Sequence, residues 1–472
     1  MPLTRRTRLV SAITAGAVAY AAALGGAVAG GAAAADPRPV PAPTPTASSA
    51  APTPTPTPTE VARPVPAAPA APSPIRTCSV SAEAADGRLG SFQGRVVNAV
   101  TGEVLFDRGG DIPSRAASVM KVLTSAAALS VLGPDHRLAT RVVRGAEPGT
   151  VVLVGGGDPT LSRTPSGSTT AYPGAAHLDD LAAQVRAAWS ADPATAGTPI
   201  TTVVLDASYF AGDDWEPSWA RSELTGGYMP EITALMVDGD RSDPYANTSV
   251  RSDDPVQRAG DAFAAALGAG GTVRGTAPAG APVLGQVESQ PVSTLVQQSL
   301  LVSDNALAEA LARVTAIEAG AGNTFGSLQA GVTSGLAAYG VDSSALRIVD
   351  GSGLSDNNAI PPSYLTSLLI KVQNREGALW AVYDGLPISG QTGSLRYSDR
   401  FSGAASRADG AVHAKTGWIE TGYTLAGTID AADGTPLTFA IYALGDVRDN
   451  AKQAIDTWTA AVWDCGNNLA NH

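Results

Sequence analysis

Ser118-Val119-Met120-Lys121-Val122-Leu123-Thr124-Ser125-Ala126-Ala127-Ala128-Leu129-Ser130-Val131-Leu132-Gly133-Pro134 is a helix with chemistry at its start. Val122, Leu123, Ala126, Leu129 and Leu132 recur at helical spacing and form a core face, and Gly133-Pro134 supplies the stop. Ser118 and Lys121 stand three residues apart, so their side chains share one face of the first turn. A serine hydroxyl is a poor nucleophile until a neighbouring base takes its proton, and a lysine is such a base only when its pKa is lowered. A second cation nearby would lower it by like-charge repulsion. Lys415, in Lys415-Thr416-Gly417, is the candidate for that role.

Two further stretches belong with the first. Ser303-Asp304-Asn305 interrupts helical periodicity, with Leu295, Leu300 and Leu301 before it and Leu307, Ala308 and Leu311 after it, so two helices should meet there. Lys415-Thr416-Gly417 ends the β-like run Ala411 to Gly417. Thr424 to Ile429 and Leu437 to Leu444 should be the next antiparallel strands, the pair joined through Asp433-Gly434. Each motif is weak alone, but chance occurrence of all three is on the order of one per cent, before order and context are counted. In chemical terms, Lys121 can serve Ser118 as base, and Ser303 can pass a proton to a leaving amine. Asn305 can offer its amide to Lys121 and substrate, and Lys415 with Thr416 can bind a free carboxylate. The backbone amides of Ser118 and Trp418 would form the oxyanion site.

The S-x-x-K, S-D-N and K-T-G set recurs in penicillin-binding proteins and class A β-lactamases. Beyond it, Gly155-Gly156-Gly157-Asp158-Pro159-Thr160-Leu161, Asp350-Gly351-Ser352-Gly353-Leu354-Ser355 and Gly390-Gln391-Thr392-Gly393-Ser394-Leu395 make the chain resemble the penicillin-binding-protein-4-type D-Ala-D-Ala carboxypeptidase/endopeptidase family, peptidase family S13. That family carries a long insertion between its first two motifs, which the stretch 122–302 matches and for which a class A β-lactamase has no room. The resemblance implies an acyl-enzyme on Ser118, with Lys121, Ser303, Asn305 and Lys415 as its catalytic partners and no cofactor. It also implies a peptidoglycan stem peptide ending in D-Ala-D-Ala as substrate and β-lactams as covalent inhibitors. Its fold would be an α/β (α+β) three-layer DD-peptidase domain, an antiparallel sheet with a helical subdomain, over 78–140 and 286–466. A mostly β inserted domain, 141–285, should lie away from the three motifs.

Departures bear on specificity. Trp418 replaces the family's usual small threonine after K-T-G, and Asp356 stands where members often carry a basic residue. With Thr416 and Gly417, Trp418 and Glu420 should form the substrate-binding edge, where Glu420 could pair with a free amine of the stem peptide or simply face solvent. His413, on the strand face of Lys415, is expected to support the site from behind or to pack in the core rather than to react, and Gly155 to Gly157 to be a structural turn, since the Walker lysine and hydroxyl are missing. A β-lactamase and a catalytically silent peptidoglycan-binding protein are the alternative readings.

The flanks bound the setting. Three arginines within Met1 to Arg8 precede an uncharged Ala/Gly/Val/Leu stretch ending in Ala33-Ala34-Ala35, the pattern of a cleavable signal peptide over 1–35 that would leave no membrane span. An uncleaved anchor competes with that reading. Residues 36–77, rich in Pro, Ala and Thr, form an extended linker. A formal charge of −12 argues against nucleic acid or an anionic membrane as partner. Four histidines, none spaced as a metal pair, give no zinc site. The two cysteines, Cys78 and Cys465, stand at opposite ends of the folded part, and in an exported chain a disulfide between them is expected.

Overall fold

The computed structural model describes residues 75–471. The signal peptide expected over 1–35 lies outside the described residues, as does all of the linker except residues 75–77. Among the described residues, no helix is long and apolar enough to cross a membrane.

Turn chemistry and alternating apolar residues build the first sheet from both ends of the chain. Its strands are β1 (Ser91–Asn98), β2 (Val104–Arg108), β8 (Val412–Ile419), β9 (Gly422–Asp430) and β10 (Pro436–Leu444). They are antiparallel throughout, in the order β2-β1-β10-β9-β8. The hairpin from β9 to β10 turns through Asp433-Gly434, with Gly434 at φ 80°, as an Asp-Gly turn requires. In β10, Leu437, Phe439, Ile441 and Ala443 join one apolar cluster and Ala440, Tyr442 and Leu444 another. That period of two marks a strand covered on both faces.

Helix Ala451–Cys465 covers the first face, where Trp458 and Val462 pack with Phe106 and Phe439. The other face meets helix Pro362–Gln373 through Leu365 and Leu369. It belongs to a helical layer with Met120–Val131, Val292–Leu301, Asn305–Glu318 and Leu328–Leu336. Helices on both faces of an antiparallel sheet are the three-layer architecture that the sequence leads one to expect.

The stretch between the first two motifs forms a second sheet: β3 (Ala139–Arg144), β4 (Thr150–Val154), β5 (Thr202–Asp206), β6 (Gly271–Arg274) and β7 (Val283–Glu288). The order is β6-β5-β4-β3-β7, with β4, β5 and β6 parallel and β3 antiparallel to both its neighbours. Parallel neighbours need crossovers, usually helical. Leu178–Ala191 and Pro255–Leu267 supply them. The segment is therefore mixed α/β rather than mostly β. Leu178, Leu181, Ala182, Val185 and Trp189 bury the inner face of the first crossover, and Asp254 caps the second by accepting from Gln257 N at 2.9 Å. The glycine run after β4 is packed to contact: a Cβ on Gly155 would stand 2.3 Å from Ala234 O, and one on Gly156 2.1 Å from Ala139 O.

Cys78 and Cys465 are joined by a disulfide across 387 residues, with Cα atoms 5.4 Å apart. Around it, Cys78 N donates to Asn468 O and Ala470 N to Cys78 O, so the strap is also hydrogen-bonded. A loop this long gives a chain-entropy ceiling of about 6 kcal/mol, usually less in practice. Reduction should therefore lower the melting temperature by several degrees. Thiol titration in denaturant should find no free thiol before reduction; two free thiols would refute the bridge in the protein as isolated.

Candidate active site

The serine turn is fixed from two sides. Ser118 lies in a short 3-10 turn, Ala117–Val119, that leads into helix Met120–Val131. Ala117 before it adopts φ 46°, a left-handed conformation that costs a non-glycine residue strain and recurs at functional sites. Thr424 Oγ1 donates to Ala116 O at 2.7 Å, tying the turn to β9. Gly417 faces the same turn: a Cβ there would meet Thr424 Oγ1 at 2.1 Å and Ala116 O at 2.9 Å. The glycine of Lys415-Thr416-Gly417 is thus what lets β8 lie against the serine.

Lys121 is fully buried. Its Nζ donates to Ser118 Oγ at 2.8 Å, to Asn305 Oδ1 at 2.6 Å and to Ser352 O at 2.8 Å. Burial pulls its pKa down to about 8, against the upward pull of Asp350, Glu309 and Asp304. The expected cause, repulsion by Lys415, is not the one that dominates: desolvation of the ammonium is. The repulsion registers on Lys415, which burial first, then Lys121 and Arg400, hold well below the usual lysine range. Lys415 Nζ donates to Ser303 Oγ at 2.9 Å and Thr416 O at 2.8 Å, and Thr416 Oγ1 lies 2.7 Å from Ser394 Oγ.

Ser303 sits between helices Val292–Leu301 and Asn305–Glu318 with φ 59°, and Asp304 explains how that bend is held. Its Oδ1 accepts from Leu307 N at 2.9 Å, capping the second helix. Its Oδ2 accepts from Arg241 Nη2 at 2.6 Å and Tyr172 OH at 3.1 Å; burial pushes its pKa up, but Arg241 and Arg251 outweigh that and hold it below the usual carboxylate range. Asn305 Nδ2 donates to Tyr228 O at 3.2 Å. Tyr172, Tyr228 and Arg241 all come from the segment expected to lie away from the motifs, so that expectation is corrected: the segment buttresses the S-D-N bend. Tyr172, Tyr228 and Arg241 are scattered among other tyrosines and arginines of an alanine- and glycine-rich stretch and carry no spacing from which this could be read.

Ser118, Ser303, Asn305, Thr416, Gly417 and Trp418 line one cleft. Its wall also includes Glu223 and Tyr228 from the inserted segment. Trp418 is half exposed. Glu420 is exposed and is not among the lining residues, but its charge joins burial in raising the pKa of Glu223. Asp356 accepts from Thr421 Oγ1 at 3.1 Å beside the same strand end. His413 stacks on Tyr383 with ring centroids 5.1 Å apart, a packing role.

The family described as D-Ala-D-Ala carboxypeptidase 3 (S13) matches residues 77–248 and 241–462. A relative named Carboxypeptidase DacB, from Mycolicibacterium smegmatis, is 37% identical over 412 residues, covering 85% of this chain and 87% of the relative. The D-alanyl-D-alanine carboxypeptidase of an Actinomadura species is 29% identical, over 73% of this chain and 76% of its own length. Among solved structures, penicillin binding protein 4 (dacB) from Haemophilus influenzae superposes with a TM-score of 0.68 at 19% identity, covering 83% of this chain and 99% of that one. With the serine-lysine pair, the S-D-N bend and the K-T-G strand gathered on one cleft, and a family match over nearly all described residues, the chain belongs to the D-Ala-D-Ala carboxypeptidase 3 (S13) family.

Proposed function

We propose that the chain is a serine D-Ala-D-Ala carboxypeptidase, able also to cut cross-links as an endopeptidase, that acts on peptidoglycan stem peptides through an acyl-enzyme on Ser118. The carrying observation is the set of three contacts at Lys121 Nζ. In neutral Lys121 the Asn305 and Ser352 oxygens take two hydrogens, so the nitrogen lone pair faces the Ser118 hydroxyl. Ser118 Oγ then attacks the penultimate D-Ala carbonyl while its proton passes to Lys121. The C–N bond breaks, and Ser303 protonates the departing amine while Lys415, which donates to its Oγ, replaces the proton it gives. Water hydrolyses the ester and restores Ser118.

Lys415 and Thr416 receive the terminal carboxylate, with the Ser118 and Trp418 backbone amides as oxyanion donors. An arriving carboxylate favours charged Lys415, and a charged Lys415 lowers the proton affinity of Lys121. Substrate binding thus readies the base. The second sheet, from Ala139 to Glu288, supports treating 141–285 as an insert in a peptidase domain formed by 78–140 and 286–466. Export to the cell wall is part of the proposal, in keeping with the leader and linker pattern and the disulfide.

Labelled penicillin tests the acyl-enzyme. Mass mapping should place the adduct on Ser118, and Ser118→Ala should abolish labelling while keeping the circular dichroism spectrum; an adduct elsewhere would sink the assignment. Acylation should accelerate as pH rises through about 8, where Lys121 loses its proton, and a flat rate from pH 6 to 9 would remove Lys121 as base. Muropeptide digestion followed by mass spectrometry divides carboxypeptidase from endopeptidase products.

Glu223 on the cleft wall and the exposed Glu420, whose charge reaches it, support an acidic approach to the cleft suited to a free amine on the stem peptide, with Trp418 packing on its aliphatic part. Glu420→Gln should cut kcat/KM for free-amine substrates by roughly twofold to fivefold, the size of an exposed ion pair. N-acetylated analogues should be unaffected. An equal effect on both substrates would dismiss the pairing.

A further inference from the structure

One buried carboxylate behind the site has no part in the chemistry so far. Glu309 lies one turn after Asn305 on helix Asn305–Glu318 and is fully buried. It has no ion-pair partner among the described residues. Its carboxyl takes the amides of a single turn: Oε1 accepts from Ser352 N at 2.7 Å, and both oxygens lie 3.0 Å from Gly351 N. The carbonyl of that same Ser352 is the third acceptor on Lys121 Nζ. One residue of loop therefore separates a buried acid from the buried base: Glu309 holds Ser352 by its amide, and Lys121 holds it by its carbonyl.

The loop has little freedom of its own. Asp350 Oδ1 accepts from Gly353 N at 2.7 Å and Asn358 Nδ2 at 2.8 Å, and its Oδ2 from Ser355 N at 2.7 Å and Trp219 Nε1 at 2.8 Å. Thr124 Oγ1, on the helix of Lys121, donates to Gly351 O at 2.7 Å. Gly353 is pressed on the serine turn, where a Cβ would stand 1.9 Å from Ala117 O. A shift of the Gly351–Ser352 turn would therefore reach both Lys121 and Ser118.

We propose that Glu309 is a positioning residue that seats the Ser352 carbonyl on Lys121 and, through its own charge, governs when that lysine can act as a base. The proposal rests on the acyl-enzyme reading above. The charged groups facing this pair are Asp350 from the loop, Asp304 at the head of the same helix, Arg313 one turn further along it, and Lys415 from β8. Burial and Asp350 push the Glu309 carboxyl up to about 8, the range in which Lys121 titrates. A protonated Glu309 relieves Lys121 of a negative neighbour that would hold its proton in place, and an ionised Glu309 does the reverse.

Two variants separate reach from charge. Glu309→Gln keeps the length and an acceptor oxygen but never carries a charge, so the upper part of the acid limb of the penicillin acylation profile should move to lower pH. Wild-type Glu309 is itself protonated at pH 6, so the two profiles should coincide there relative to their plateaus; they should separate near pH 8, where the midpoint of the variant should lie at lower pH by about half a unit. Glu309→Asp keeps the charge but withdraws from Ser352, so it should lose about tenfold or more in plateau rate with the limb unmoved. Melting temperatures and the label site are recorded for both. If both variants label Ser118 and lose rate in parallel, with limbs coincident with wild type, Glu309 is a structural prop and the proposal falls. Label on a residue other than Ser118 in wild type overturns the acyl-enzyme reading instead. Should Glu309→Gln fail to fold, Glu309→Asp still decides: an unchanged plateau rate overturns the seating of Ser352.

Discussion

A charged ammonium in the protein interior is tolerated only if every hydrogen it carries is met by an acceptor. Lys121 imposes that condition on the rest of the molecule. Its three acceptors come from three separate segments: the turn of Ser118, the helix beginning at Asn305 and the loop of Ser352. None can be displaced without stranding a hydrogen in a dry site. The surrounding architecture serves to bring those oxygens within about 3 Å of one nitrogen, as hydrogen bonding requires. The sheet holds the serine turn through Thr424, the Asp304 cap starts the Asn305 helix, and Asp350 freezes the loop. The same enclosure that sets the pKa of Lys121 makes the site sensitive to what lies beyond the reacting groups.

Much of this was legible from residue spacing. The serine helix, the bend at Ser303-Asp304-Asn305 and the strands on either side of Asp433-Gly434 follow from periodicity and turn chemistry, because each is decided by neighbours in sequence. What lay outside that reach depends on partners far along the chain. The two crossover helices of the inserted segment lie in Ala-rich sequence between strands of four to six residues, where the apolar stripe is thin. Arg241 meets Asp304 across 63 positions, and no local pattern announces such a pair. Glu309 is hidden for a similar reason: on a helix otherwise packed with Ala and Leu, an acid reads as a solvent-facing residue, and only the fold brings the Gly351 and Ser352 amides to it. The pKa of Lys121 was expected for the wrong reason, since spacing reveals neighbouring charge but not depth of burial.

The Arg241–Asp304 pair gives the inserted segment a place in the catalytic domain. Both side chains are almost wholly buried, so loss of one partner would leave an uncompensated charge at a cost of about 3–5 kcal/mol. Arg241 is delivered by Asp238-Gly239-Asp240, three successive residues with positive φ. Two of them are not glycine, so the turn is strained, and it persists because Ser162 and Arg163 hold Asp238 while Ser252 and Arg258 hold Asp240. A surface excursion would not need such bracing. The bracing makes sense where the tip of the turn must stay fixed against the S-D-N bend.

The position of β1 has a consequence for how the molecule comes into being. It lies inside the first sheet, paired on one side with β2 and on the other with β10, so an early strand waits for the last one before its hydrogen bonds are complete. The strand that carries Lys415 joins the sheet only through β9, and β9 only through β10. A ribosome making the chain from its amino end thus releases both halves of the catalytic sheet unassembled, and closing so distant a pairing is slow. Until β10 has been made the cleft is incomplete, so the chain carries no working hydrolase while the earlier strands are being synthesised.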